Sequence, residues 1–98
     1  MEVNRKLEAD TLTITLAGRL DTVSAPAFEE QIKDLTGVKT LVLDLKDLSY
    51  ISSAGLRVLL TAQKRMNQQG SMVLRNVCPS VRDVLDITGF SGILTIEG

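Results

Sequence analysis

The chain has 98 residues, 44% of them hydrophobic and 23% charged, which is the balance of a single globular domain spanning residues 1–98. Eleven lysines and arginines face 12 aspartates and glutamates, so the formal net charge is -1. No basic field exists to attract nucleic acid or anionic lipid. The chain has no histidine and one cysteine, which excludes histidine-based catalysis, histidine metal sites and an internal disulfide.

The first ten residues are mostly charged or polar and lack the apolar region of a signal peptide. No later stretch approaches the ~18 consecutive apolar residues of a membrane span. We therefore expect a cytoplasmic protein that binds no nucleic acid and does not insert into a membrane.

The N-terminal region predicts two strands, at residues 3–8 and 11–17. The second is clearer, because leucines and an isoleucine alternate with threonines. The pair Ala9-Asp10 predicts a hairpin turn between the strands, and Gly18 is expected to end the second one.

The apolar residues then recur every three to four positions, which predicts a helix from Ala25 to Leu35. Ser24 and Pro26 are its start signals, and Gly37 is expected to end it. The apolar run at residues 41–45 has no polar alternation, which is typical of a strand buried on both faces at the centre of a parallel sheet.

After a polar connection at residues 47–53, the pattern predicts a helix that runs from Leu56 towards a capping glycine, Gly70. A strand at residues 72–77 follows. A capping box of Ser80 and Asp83 predicts a short helix that closes at Gly89, and residues 93–96 form the last strand.

The resulting order, β-β-α-β-α-β-α-β, predicts an α/β fold with a mixed sheet and helices packed against it. Partner or ligand sites on such sheets lie where strand ends lead into helix starts. Here those connections are residues 18–24, 44–53 and 76–80.

The connection before the second helix is rich in small residues. Ser52 or Ser53 is expected to cap the helix, but capping needs only one serine. Gly55 in the first turn costs about 1 kcal/mol relative to alanine, so it indicates either close packing or close approach by another molecule. A helix N-terminus favours an anion, and a phosphate on Ser53 would add about -1.5 to -2 charge to a surface that is otherwise suited to docking.

Four segments resemble one family: LAGRLD at residues 16–21, LVLDL at 41–45, YISSAGL at 50–56, and VRDVL at 81–85 followed by TGF at 88–90. In this order they are similar to the STAS domain, and within it to the small anti-sigma factor antagonists. The resemblance implies a protein that is not an enzyme and takes part in partner switching. The unphosphorylated form would bind an anti-sigma factor serine kinase and free a sigma factor, phosphorylation of one serine would abolish binding, and a serine phosphatase would restore it.

By position, the resemblance places the phosphoacceptor at Ser53, with Ser52 as the less favoured choice, because many relatives have aspartate where this chain has Ser52. Asp21 is either a partner contact or a cap for the first helix. Arg57 pairs with a phosphate or a partner carboxylate, or is simply solvated. The implied partner surface consists of Asp21, Thr22, Ser52, Ala54, Gly55, Leu56, Arg57 and Phe90.

The sequence gives little indication of metal binding, cofactor binding or catalysis. Asp44 and Asp47 bind Mg²⁺ weakly without further ligands, and the chain has no glycine-rich phosphate loop with lysine. We therefore expect no metal, cofactor or catalytic residue, and expect ATP to be bound by the kinase. Tyr50 and Phe90 lie either in the core or at an interface. The alternative function is a STAS interaction module for a non-sigma partner, such as a lipid-transport accessory or a signalling scaffold.

Overall fold

The computed structural model describes residues 1–97, so Gly98, the last residue of the predicted domain, lies outside the described residues. The elements follow the predicted order. They are β1 (Glu2–Glu8), β2 (Thr11–Leu20), α1 (Ala25–Gln31), β3 (Thr40–Ile51), α2 (Ser53–Asn67), β4 (Ser71–Arg75), α3 (Pro79–Ile87), a 3₁₀ turn (Phe90–Gly92) and β5 (Ile96–Glu97).

The five strands form one sheet in the order β1-β2-β3-β4-β5. β1 and β2 pair antiparallel through the predicted hairpin, in which Ala9 has a φ of 54°. The other three pairings are parallel, so the predicted mixed α/β sheet is confirmed.

The helices cover one face of the sheet. The leucines and isoleucine of β2 that alternate with threonines belong to one buried cluster, and each helix contributes to it, for example through Phe28 of α1, Leu59 of α2 and Leu85 of α3. Val42 points to the opposite face, lies outside this cluster and is only 5% exposed. The prediction that β3 is buried on both faces at the centre of the sheet is therefore confirmed for its apolar run, since Leu41 and Leu43 on one face and Val42 on the other are all at most 5% exposed.

Two strands are longer than predicted. β3 continues through the expected polar connection to Ile51, and β2 passes through Gly18 to Leu20. Gly18 has a φ of 101° and lies beside shifts in the β2–β3 register. The two extensions pair with each other, so each supplies backbone hydrogen-bond partners that the local sequence does not reveal.

The termini of the helices differ from the prediction in two places, the end of α1 and the start of α3. α1 ends at Gln31, and Leu35 is buried from the loop that follows. Cys78, not Ser80, precedes the first turn of α3, because Pro79 occupies the first helical position and the Ser80 hydroxyl donates to the Ser49 carbonyl at 3.3 Å.

The two glycines that were predicted to follow α2 and α3 differ in conformation. Gly70 is not a left-handed cap; a Cβ there would collide with the backbone carbonyl of Lys39. Gly89 does follow α3, as predicted, and it has a left-handed conformation with φ 81°.

The last strand is only Ile96–Glu97, because Ile93 still belongs to the end of the 3₁₀ turn. Within residues 1–97, no helix is long and apolar enough to cross a membrane.

Candidate partner-binding surface

The candidate surface lies where the extended ends of β2 and β3 meet the start of α2. The Ser52 amide donates to the carbonyl of Leu20 at 2.8 Å, and this bond joins the end of β2 to the residue that caps α2. Two of the connections that the sequence indicates, residues 18–24 and 44–53, are thereby brought side by side.

The two serines have different environments. Ser52 is half-buried and caps α2: its hydroxyl accepts from the Gly55 amide at 3.4 Å, and its carbonyl accepts from the Leu56 amide at 2.9 Å. Ser53 is the first residue of α2 and is exposed, and its hydroxyl makes no hydrogen bond within residues 1–97. Ser52 is thus occupied by a structural role, whereas the Ser53 hydroxyl is accessible.

Gly55 lies beneath this surface rather than on it. A Cβ at Gly55 would lie 2.7 Å from Cγ of Leu20 and 3.0 Å from Cγ1 of Ile51. Close packing of α2 on the sheet therefore accounts for this glycine. Leu56 is likewise only 5% exposed. Both residues belong to the predicted partner surface, but both are buried under the start of α2, which leaves little of either residue exposed to contact a partner.

Asp21 organises the loop between β2 and α1. Its Oδ1 accepts from the backbone amides of Val23 and Ser24, at 3.0 and 3.1 Å. These bonds, first of all that from Ser24, hold the pKa of the Asp21 carboxyl below its ordinary value because they favour the charged form. Ser24 completes the turn, since its hydroxyl lies 2.6 Å from the carbonyl of Arg19. Asp21 thus fixes the turn before α1 but does not cap the helix, whose N-cap residue is Ser24 without a side-chain cap; its contact with a partner stays a prediction.

Three of the predicted contact residues share one groove. Thr22, Ala54 and Arg57 line a shallow depression between α1 and α2, together with Ala25, Pro26, Glu29, Val58 and Thr61. Arg57 is exposed and lies one helical turn after Ser53. The groove therefore presents small side chains, the guanidinium of Arg57 and the carboxylate of Glu29, and the accessible serine lies one helical turn before Arg57.

Two exposed features near the end of β2 were not predicted from the sequence. The guanidinium of Arg19 lies over the ring of Tyr50, 4.2 Å from its centroid, and Tyr50 is 40% exposed. Val23 is 89% exposed at the tip of the Asp21 loop. The exposure of Val23 could have been predicted, because it is an isolated valine in a polar loop. The stacking of Arg19 on Tyr50 could not, because it depends on the pairing of β2 with β3.

The remaining candidates lie elsewhere. Phe90 is half-buried in the 3₁₀ turn and packs against the core, with α3 as its main neighbour. Asp44 accepts from the Lys46 amide at 3.1 Å and the Asn76 amide group at 3.2 Å. Within the described part of the chain, no three metal-ligating side chains are grouped to hold an ion.

Comparison with known proteins identifies the family. The STAS domain model matches residues 2–98. BtrV of Bordetella bronchiseptica, named as a candidate anti-sigma factor antagonist, is 40% identical over 88 residues, which cover 87% of this chain and 76% of that protein. The anti-sigma-B factor antagonist of Bacillus subtilis is 33% identical over 99 residues, covering 99% of this chain and 91% of that protein.

Solved structures show the same fold. The anti-sigma factor antagonist SpoIIAA in its unphosphorylated form matches with a TM-score of 0.84 at 22% identity, over 99% of this chain and 89% of that chain. SpoIIAA of Bacillus in its phosphorylated form matches with a TM-score of 0.77 at 20% identity, over 99% of this chain and 92% of that chain. The sheet order, the core and the match over nearly every residue agree: this chain belongs to the STAS domain family.

Proposed function

We propose that this protein is an anti-sigma factor antagonist in a partner-switching system. In its unphosphorylated form it binds an anti-sigma factor serine kinase, which releases a sigma factor. Phosphorylation of Ser53 abolishes that binding, and a serine phosphatase restores it. The observation that carries the proposal is the relationship to two curated proteins named as antagonists, at 40% and 33% identity, together with an accessible serine at the start of α2.

The geometry favours Ser53 over Ser52 as the phosphoacceptor. A kinase must reach the hydroxyl oxygen, and Ser53 is exposed with a free hydroxyl. Modification of Ser52 would remove an acceptor that the Gly55 amide uses and would place a phosphate in a half-buried position. A phosphate on Ser53 would instead stand at the positive end of α2 without displacing any described hydrogen bond.

The phosphate acts through differential affinity. A modification shifts binding only if it interacts differently with the free and bound states. In the free protein the phosphate is hydrated, whereas docking would desolvate it against a partner, which costs several kcal/mol unless a cation pairs with it. Since each 1.4 kcal/mol is a factor of ten in affinity, a modest penalty is enough to release the partner.

The test is incubation of the chain with MgATP and each anti-sigma serine kinase encoded in the source genome, followed by location of the phosphate by mass spectrometry. We expect one phosphate, at Ser53, and binding weakened at least a hundredfold after modification. Ser53→Ala should bind the kinase but accept no phosphate.

The matched control is Ser52→Gly, which removes the neighbouring hydroxyl while costing only a few tenths of a kcal/mol of capping stability. This variant should be phosphorylated to the same extent as the unaltered chain. A phosphate on Ser52 would contradict the assignment of the site. Failure of the unaltered chain to bind any of these kinases would contradict the role and favour a STAS module for a non-sigma partner.

A further inference from the structure

Arg19 and Tyr50 form a preorganised pair near the ends of β2 and β3, the strands that lead into the loops before α1 and α2. They lie opposite each other on β2 and β3, and the guanidinium stacks over the ring at 4.2 Å. Stacking holds the long arginine side chain in one place, so less conformational entropy is lost when it binds a partner. Tyr50 is 40% exposed, and it is the single tyrosine of the chain.

The guanidinium of Arg19 has unused hydrogen-bonding capacity. Its nearest carboxylate is that of Asp21, where Nε and Oδ2 are 3.9 Å apart, too far for a hydrogen bond. The other oxygen of Asp21 accepts from two backbone amides. The Arg19 side chain donates no hydrogen bond within residues 1–97 and is 63% exposed, so its N–H groups face outward as a fork suited to a carboxylate.

An exposed apolar side chain lies in the loop that follows Arg19. Val23 is 89% exposed in the loop that follows β2, and the turn formed by Asp21 and Ser24 fixes that loop. Exposed tyrosine and arginine side chains carry a disproportionate share of binding energy at protein interfaces, particularly when they are already ordered. Arg19, Tyr50 and Val23 thus offer a charged fork, an aromatic ring and an aliphatic contact on one edge of the domain.

We propose that the stacked pair of Arg19 and Tyr50 is the specificity anchor of this surface, with Val23 as its apolar neighbour, and that the anti-sigma kinase presents an acidic side chain to Arg19. The proposal rests on the proposed function. The partner's chemistry follows from charge complementarity, because the most available unsatisfied group of the pair is a cation with fork geometry.

The acidic partner also explains how the phosphate would act. Tyr50 precedes Ser53 by three residues, a separation of about 10 Å in extended chain. That separation is somewhat longer than the Debye length of about 8 Å at physiological salt, so a phosphate on Ser53 would act on a partner carboxylate at Arg19 mainly at low ionic strength. Repulsion between the phosphate and that carboxylate would therefore add to the desolvation penalty of the phosphate and would weaken as salt is raised.

The experiment measures the affinity of the kinase, by titration calorimetry, for the unaltered chain, Arg19→Lys, Tyr50→Leu and the double variant. Arg19→Lys keeps the charge but loses the fork and the stacking. We expect each single variant to bind at least tenfold more weakly. The loss in the double variant should be smaller than the product of the two single losses, since each substitution removes the same stacked unit.

The matched control is Arg82→Lys, which changes an exposed arginine of α3 that pairs with Asp86 at 3.2 Å. It should bind like the unaltered chain, and circular dichroism should show that all variants are folded. Unchanged affinity in folded Arg19→Lys would overturn the anchor while leaving the partner-switching role intact. Absence of binding by the unaltered chain would overturn both.

Discussion

Replacing Gly55 by alanine tests the packing that places α2 on the sheet. The added Cβ would lie 2.7 Å from Cγ of Leu20 and 3.0 Å from Cγ1 of Ile51. These neighbours are 0% and 2% exposed, so neither can move into solvent. Overpacking of this kind costs about 1–3 kcal/mol, and the better helix propensity of alanine returns at most about 1 kcal/mol. We expect a net loss of about 1–2 kcal/mol in the free energy of unfolding.

The assay is urea denaturation followed by circular dichroism, supported by thermal unfolding, where this loss corresponds to a fall in Tm of about 5 °C or more. Gly92→Ala is the matched control, because a Cβ at Gly92 would have no heavy atom within 4 Å. Its stability should change by no more than about 0.5 kcal/mol. If Gly55→Ala were as stable as the unaltered chain, close packing would not explain this glycine, and a role in docking would return.

Three further outcomes are expected. Asp21→Asn should make the free energy of unfolding fall less steeply at acid pH. The pKa of Asp21 is lowered in the folded state, so the stability that its carboxylate contributes is present above the unfolded pKa of about 4 and is lost as pH falls through the folded value. Unfolding measured over a range of acid pH would show this difference. Gln63→Leu should raise the free energy of unfolding by about 1 kcal/mol in urea denaturation, because Oε1 of Gln63 is buried without a partner in the described chain while its amide binds only the exposed Asn67. Phosphorylation of Ser53 should stabilise the isolated chain by about 0.5–1 kcal/mol at low ionic strength, less at high salt and less in Arg57→Gln, as measured by calorimetry. A destabilised phosphoprotein, a destabilised Gln63 variant or an unchanged dependence of stability on acid pH would each contradict the corresponding reasoning.

Local patterns were sufficient for the order of the elements. The spacing of the apolar residues in each element shows which face or faces it buries. Apolar residues alternate with threonines in β2, recur every three to four residues in α1 and α2, and form an unbroken run in β3. The serines before α2 were also informative, because a cap must precede the first turn. Ser52 has that role in the structure, which leaves Ser53 accessible.

Contacts between distant segments decided the rest. The extension of β3 to Ile51 exists because β2 extends beside it, and neither extension has a pattern of its own. The same pairing places Arg19 over Tyr50. The sequence could not choose between packing and docking for Gly55, because that choice depends on how near Leu20 comes to the helix. The serines at the start of α2 could thus be recognised from the sequence. The surface around them forms only when the pairing of two parallel strands brings separate loops to one edge of the sheet.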